Sequence, residues 1–201
     1  MMMIGTANQR YSEFEKVLSV LSNNRIKTNS ITKSFRLDED LITKITQEAK
    51  NNNTSLNAEI NTLLRKYIEW DMLASKVGMI PIAKPVLSEI FQGIMTKEVI
   101  DLANRVAKQA IREIVYFMTA NLTLESFLSW LKTRMEHCSE LNYVIEKNSI
   151  TPQIKIIFKH DMGENWSIYH KIILEYIFNE ILGMNTFEIN VSNTTLILCF
   201  R

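Results

Sequence analysis

Between Ile31 and Trp70 the hydrophobic pattern changes its period once, from two residues to about 3.6, and this constrains the fold more than any other feature of the chain. In Ile31-Thr32-Lys33-Ser34-Phe35-Arg36-Leu37, Phe35 and Leu37 fall on one face and Thr32, Ser34 and Arg36 on the other, the pattern of a half-buried strand. Asp38-Glu39-Asp40 follows. Asp38 is a good N-cap, and the acids sit where a helix dipole favours them. Leu41, Ile42, Ile45 and Ala49 then make one apolar stripe, which Asn51-Asn52-Asn53 ends, because Asn tolerates the left-handed conformation of a helix terminus. Thr54-Ser55 opens a second helix with Leu56, Ile60, Leu63, Leu64, Tyr67 and Ile68 on one face, a face that can run on through Trp70 and Leu73.

A run of about forty residues cannot bury enough surface to be stable alone. A solitary strand also leaves its N–H and C=O groups unpaired. Both difficulties are removed if two chains pair their strands antiparallel and intertwine their helices. Phe35 and Leu37 then cover a shared core, and the outer face of the ribbon shows Thr32, Ser34 and Arg36 from each chain. The major groove of B-DNA admits such a ribbon.

The run Ser34-Phe35-Arg36-Leu37-Asp38-Glu39-Asp40-Leu41, followed by Thr54-Ser55-Leu56-Asn57-Ala58-Glu59-Ile60, resembles the ribbon-helix-helix DNA-binding family of the Arc, MetJ and CopG type. The resemblance covers about a fifth of the chain. It implies that Thr32, Ser34 and Arg36 read bases, and that Ser55, Leu56 and Asn57 anchor phosphate at the start of the second helix. Lys33 departs from the family, whose inner strand face is often apolar, although its long stem can reach solvent. The chemistry agrees. An Arg fork can bond guanine O6 and N7 bidentately, Ser and Thr hydroxyls adapt to several base edges, and helix N-termini suit phosphate. Arg25, Lys27, Lys33 and Arg36 stand in a segment, 25–36, without a single acid, so Arg25, Lys27 and Lys33 are further candidates for salt-sensitive phosphate contacts.

Composition neither demands nor excludes a nucleic-acid partner, since the net charge is +1 and any basic surface must be local. With 46% hydrophobic and 22% charged residues, and only 5 Gly and 3 Pro, most of the 201 residues can fold around apolar cores. Cys138 and Cys199 are too few and too distant for a disulfide framework or a CxxC site, which fits a reduced, cytoplasmic setting. The N-terminus lacks a signal peptide's apolar stretch, and no run is long enough to span a bilayer.

Three parts are expected: a polar and basic arm over 1–30, with an amphipathic helix at Tyr11 to Leu21; a ribbon-helix-helix domain over 31–76; and a C-terminal α+β domain over 81–201. In the last, Pro85 opens a short helix, Thr96 caps a long one with the stripe Ile100, Ala103, Ala107, Ile111, Ile114 and Met118, and Thr123 caps another. Beyond Asn142 the period switches, with strands at 154–158 and 195–200, weaker candidates at 143–146 and 187–191, and between them a helix, 166–182, apolar nearly all round. Such a helix packs on more than one side. The fold class is therefore helix-rich α+β, with an N-terminal intertwined dimer. The C-terminal domain is large enough to sense an effector, to dimerise or to bind a partner.

His137-Cys138, His160, His170 and Cys199 have no zinc-type spacing, so neither metal nor cofactor is expected. His160-Asp161-Met162-Gly163-Glu164-Asn165-Trp166-Ser167 is the densest polar cluster. It reads as Met162-Gly163 turning the chain out of a strand and Asn165 capping the next helix, rather than as a catalytic site. The function expected is a dimeric transcription regulator, such as a repressor, on double-stranded DNA, with further association of dimers on DNA open, and not an enzyme. The alternative is a protein-interaction module of the antitoxin kind, whose C-terminal domain binds a partner.

Overall fold

The computed structural model describes residues 30–137, 142–148 and 153–200. They divide into two compact units, one ending at Gly78 and one beginning at Met79. The expected helix at Tyr11 to Leu21 lies outside the described residues, as do Arg25 and Lys27.

In the first unit, Ser30 to Asp38 carries no regular secondary structure. A strand needs a neighbour to satisfy its backbone, and no strand among the described residues pairs with this segment in the single chain. Helix α1 is Glu39–Asn51, with Asp38 in the N-cap position. The Asp38 carbonyl accepts from the Ile42 N–H, but its side chain makes no capping bond. Asn53, at φ 52, takes the left-handed turn expected of the Asn run. Helix α2 is Leu56–Lys66, and it continues through a π turn at Tyr67–Asp71, a helical turn at Met72–Ala74 and a 3₁₀ turn at Ser75–Val77. Gly78, left-handed at φ 73, ends it.

The second unit is helical up to His137 and mixed beyond it. Helix α3 is Lys84–Gly93, with Pro85 in its first turn, where a missing N–H costs nothing. Helix α4 is Thr96–Val106, joined through a π turn at Ala107–Ile111 to α5, Arg112–Thr119. Thr96 is the first helical residue rather than the cap. Met95 holds that place, and Glu98 Oε2 accepts its N–H at 3.3 Å. The buried stripe begins at Val99 and passes through Ala103, Ala107, Val115 and Met118, while Ile100 faces outward. Helix α6 is Leu124–His137, and Thr123 caps it as expected, its Oγ1 accepting the Ser126 N–H at 3.2 Å.

Strands β1 (Asn142–Asn148), β2 (Gln153–Lys159), β3 (Phe187–Val191) and β4 (Thr195–Phe200) form one antiparallel sheet in the order β1-β2-β4-β3. Helix α7, Glu164–Tyr176 with a π turn at Ile177–Ile181, connects β2 to β3. Because β4 lies between those strands, the unit is a split β-α-β with a hairpin on β2. The register sets Phe158 opposite Leu196, and Ile156 opposite Leu198, itself opposite Ile189, so these buried side chains share one face. Helix α7 packs there against β3 and β4, and its other sides meet α3 and α4. That explains why it is apolar all round. Trp166, Ile173, Leu174, Ile177 and Phe178 enter the core with Phe127, Val99 and Phe200. The Phe178 ring meets Phe127 and Phe200 edge-on, at 5.6 and 5.5 Å.

Candidate nucleic-acid interface

Thr32, Lys33, Ser34 and Arg36 are all exposed on the segment that precedes α1. So are its apolar residues, with Ile31 79% and Phe35 75% exposed. The openness continues through Leu37 and along the helices, where Leu41, Leu63, Leu64, Tyr67 and Ile68 are exposed and, among the described residues of the unit, only Ala49 and Ala74 are buried apolar side chains. Folding normally hides large side chains first, because each such burial contributes about 1.5–3 kcal/mol. Here the pattern is amphipathic, yet much of the apolar face is uncovered, with Ile42, Ile45, Leu56 and Ile60 only half-buried.

The start of α2 is built more firmly. Ser55 holds the N-cap with φ −83 and ψ 152, and its Oγ accepts the Ala58 N–H at 3.1 Å. The carbonyl of Ser55 accepts the Glu59 N–H at 2.9 Å. Leu56 is half-buried and Asn57 exposed, so the first-turn donors of Leu56 and Asn57 lie at the positive end of the helix. Asn61 Nδ2 donates to the Asn57 carbonyl at 2.7 Å. Glu59, buried, accepts from Asn52 Nδ2 at 3.4 Å, tying the turn 52–55 to the helix it opens. Ser55, Leu56 and Asn57 thus stand together at the start of α2, while Thr32, Ser34 and Arg36 stand on a segment of their own.

A second polar constellation lies at the corner between β2 and α7. His160 and Ser167 are both buried. The Met162 N–H donates to His160 Nδ1 at 3.3 Å, which leaves the ring hydrogen on Nε2. Nε2 then donates to Ser167 Oγ at 2.8 Å, and that hydroxyl donates to the Ser192 carbonyl at 2.7 Å. A Ser–His pair used for nucleophilic attack has the opposite polarity, the imidazole accepting from the hydroxyl. This one is a structural relay binding β2, α7 and the β3–β4 turn. Burial holds the imidazole below its ordinary range; Asp161 opposes that shift and Lys84 adds to it. Lys84 Nζ meets Asp161 Oδ1 at 2.6 Å, a bond that lowers the acid below the usual carboxylate range.

Asn165 does not cap its own helix. Its Nδ2 donates to the carbonyls of Phe91 and Ile94 at the end of α3, at 2.9 and 2.7 Å, and its Oδ1 accepts from Thr96 Oγ1 at 2.9 Å. The N-cap position belongs to Gly163, at φ 86 and ψ 167. An open cleft of about 540 Å³ lies beside this corner, lined by Phe91, Gln92, Asp161, Glu164 and Asn193 among others. Its acids are offset by Lys84 and by the α7 dipole, so no ligand charge is selected. Ser167, a polar residue inside an apolar helix, was a signal for the relay; nothing in the sequence marked Lys84.

Among the described residues no three His, Cys, Asp or Glu side chains gather as metal ligands, and no helix is long and apolar enough to cross a membrane. Comparison with protein-family models, with curated proteins and with solved structures gives no match.

Proposed function

We propose that the chain is a dimeric, sequence-specific DNA-binding transcription regulator whose two copies pair the segments around Thr32, Ser34 and Arg36 into an antiparallel ribbon. The observation that carries this reading is the uncovered apolar face of the unit ending at Gly78. Phe35, Leu37, Leu41, Leu63, Leu64, Tyr67 and Ile68 are presented outward on two helices, the π turn that follows the second, and a segment without regular secondary structure. A second copy supplies what each lacks: a strand for the backbone of 31–37, and apolar surface for both helices. The ribbon then turns the Thr32, Ser34 and Arg36 side chains to the major groove. Ser55, Leu56 and Asn57 bond phosphate through backbone donors, with Arg25, Lys27 and Lys33 adding charge.

The deciding experiment selects bound sequences from a random duplex pool and repeats the selection with Arg36→Ala. An enriched two-fold-symmetric site is expected, and Arg36→Ala weakens its binding by about 1–3 kcal/mol with relaxed preference at one base pair per half-site. A pool that returns no enriched sequence, from protein shown to be dimeric, leaves partner binding as the function of this face.

A further inference from the structure

We propose that the corner between β2 and α7 is an acid-operated latch, in which a proton taken up at His160 Nδ1 expels the Met162 N–H and draws Asp161 away from Lys84. Every bond of His160 is written for the neutral ring. Nδ1 is an acceptor because Met162 donates to it, and Nε2 is a donor because Ser167 passes its own proton to the Ser192 carbonyl. A second ring proton, from solvent, can reside only on Nδ1, where it faces an N–H at 3.3 Å. That contact becomes donor against donor, and the loop 160–163 must yield. The carboxylate of the adjacent Asp161 acts electrostatically on the ring and can accept the new N–H, and its bond to Lys84 holds it below the usual carboxylate range. The protonated imidazole therefore competes with Lys84 for one carboxylate, and an ion pair between the loop and α3 is exchanged for one within the loop.

The charged surroundings favour a response confined to this corner. On the loop side stands Asp161, from α3 comes Lys84, and across the Trp166 ring lies His170, itself facing Arg134 of α6. The β3–β4 turn offers only Ser192 and Thr194, the latter accepting the His160 N–H through its carbonyl at 2.9 Å. Loss of the Met162 bond shifts Asp161 and Gly163, both walls of the cleft, so the latch changes the shape of that cleft with pH. None of its residues belongs to the unit ending at Gly78, so the latch and the DNA-binding reading stand or fall separately.

The test is a nitrogen-15 NMR titration of the full chain from about pH 8 to about pH 4.5. His160 is expected as the Nε2–H tautomer at the upper end, titrating below 6.5, with the Met162 amide resonance moving at the same midpoint. In Asp161→Asn the neighbouring acid is gone, and both midpoints fall together. His160→Gln, which keeps a donor and an acceptor but cannot titrate, abolishes the Met162 response. An Nδ1–H tautomer at neutral pH, a Met162 resonance indifferent to the titration of His160, or an unmoved midpoint in Asp161→Asn overturns the latch. Asp161 is exposed, so Asp161→Asn keeps the test decisive even where His160→Gln does not fold.

Discussion

Trp166 lies between two imidazoles, His160 at 4.4 Å and His170 at 3.7 Å, and the second shows what burial does to a titratable side chain. His170 Nδ1 donates to the Trp166 carbonyl at 3.0 Å, while burial, with Arg134 nearby, pushes its pKa from 6.5 down to about 3. Above 6.5 the folded and unfolded chains both hold this ring neutral. As pH falls below 6.5 the unfolded chain binds a proton that the folded chain refuses, so stability is lost down to about 3, where the folded ring also protonates. The slope is at most about 1.4 kcal/mol per pH unit, and less in practice because the ring is only half-buried. Denaturant midpoints measured at several pH values should show this fall, and His170→Gln should flatten it; an equal slope in the variant would refute the assignment. Gly163 makes a sharper demand. At φ 86 and ψ 167 its backbone is open only to glycine, and an added Cβ would stand 3.4 Å from Gln92 Cγ. Gly163→Ala should cost about 1–3 kcal/mol of unfolding free energy, read from the same denaturation curves.

Elements were legible wherever one period ran without interruption. The stripes of α1 and α2, the Ser55 and Thr123 caps, the Asn53 turn and the strands β2 and β4 follow from side-chain spacing and capping chemistry, which are local. Polar residues whose partners lie far along the chain were not. Thr96 and Asn165 both read as caps of their own helices, yet they bond each other across 69 positions, and Asn165 spends its amide on the last carbonyls of α3. No spacing rule reaches that distance. The π turns are a related case. The one at Ala107–Ile111 lies within the long stripe, whose buried set begins at Val99 rather than Ile100. The segment proposed to read bases was legible as a pattern only: in the single chain 30–38 carries no regular secondary structure, and a strand needs a partner to satisfy its backbone. Asn165 carries its own prediction. Asn165→Ala orphans two helix-end carbonyls and the Thr96 hydroxyl together, and should lower stability by about 1–3 kcal/mol in chemical denaturation. Asn165→Asp, which loses the donor but keeps the acceptor, should not restore it. Full stability of Asn165→Ala would show that solvent satisfies those carbonyls.

The two units of the molecule are unequal in a way that their unfolding can expose. From Met79 onward the chain has a core of its own, with Phe127, Leu128, Ile156, Phe178 and Leu198 fully buried. Among the described residues of the unit ending at Gly78 no large apolar side chain is fully buried: Ile42, Ile45, Leu56, Ile60, Trp70 and Leu73 are half-buried and many others are exposed. Ile31, Phe35, Leu37, Leu41, Leu63, Leu64, Tyr67 and Ile68 each leave between 45% and 79% of their surface uncovered, an apolar face open to a partner. If a second copy covers it, the order of this unit is a matter of mass action, and that of the other unit is not. Trp70 is the single tryptophan before Gly78, and Trp130 and Trp166 both lie after Met79, so variants of one group report on the other. In a chain with Trp130 and Trp166 replaced by Phe, the denaturation midpoint seen by Trp70 should rise with protein concentration, by the equivalent of about 1.4 kcal/mol for each tenfold step. In the complementary Trp70→Phe chain, any transition of the second unit should hold its midpoint over the same range. A Trp70 midpoint that ignores concentration would mean that the exposed face is not covered by a second copy, and the ribbon would have no second strand.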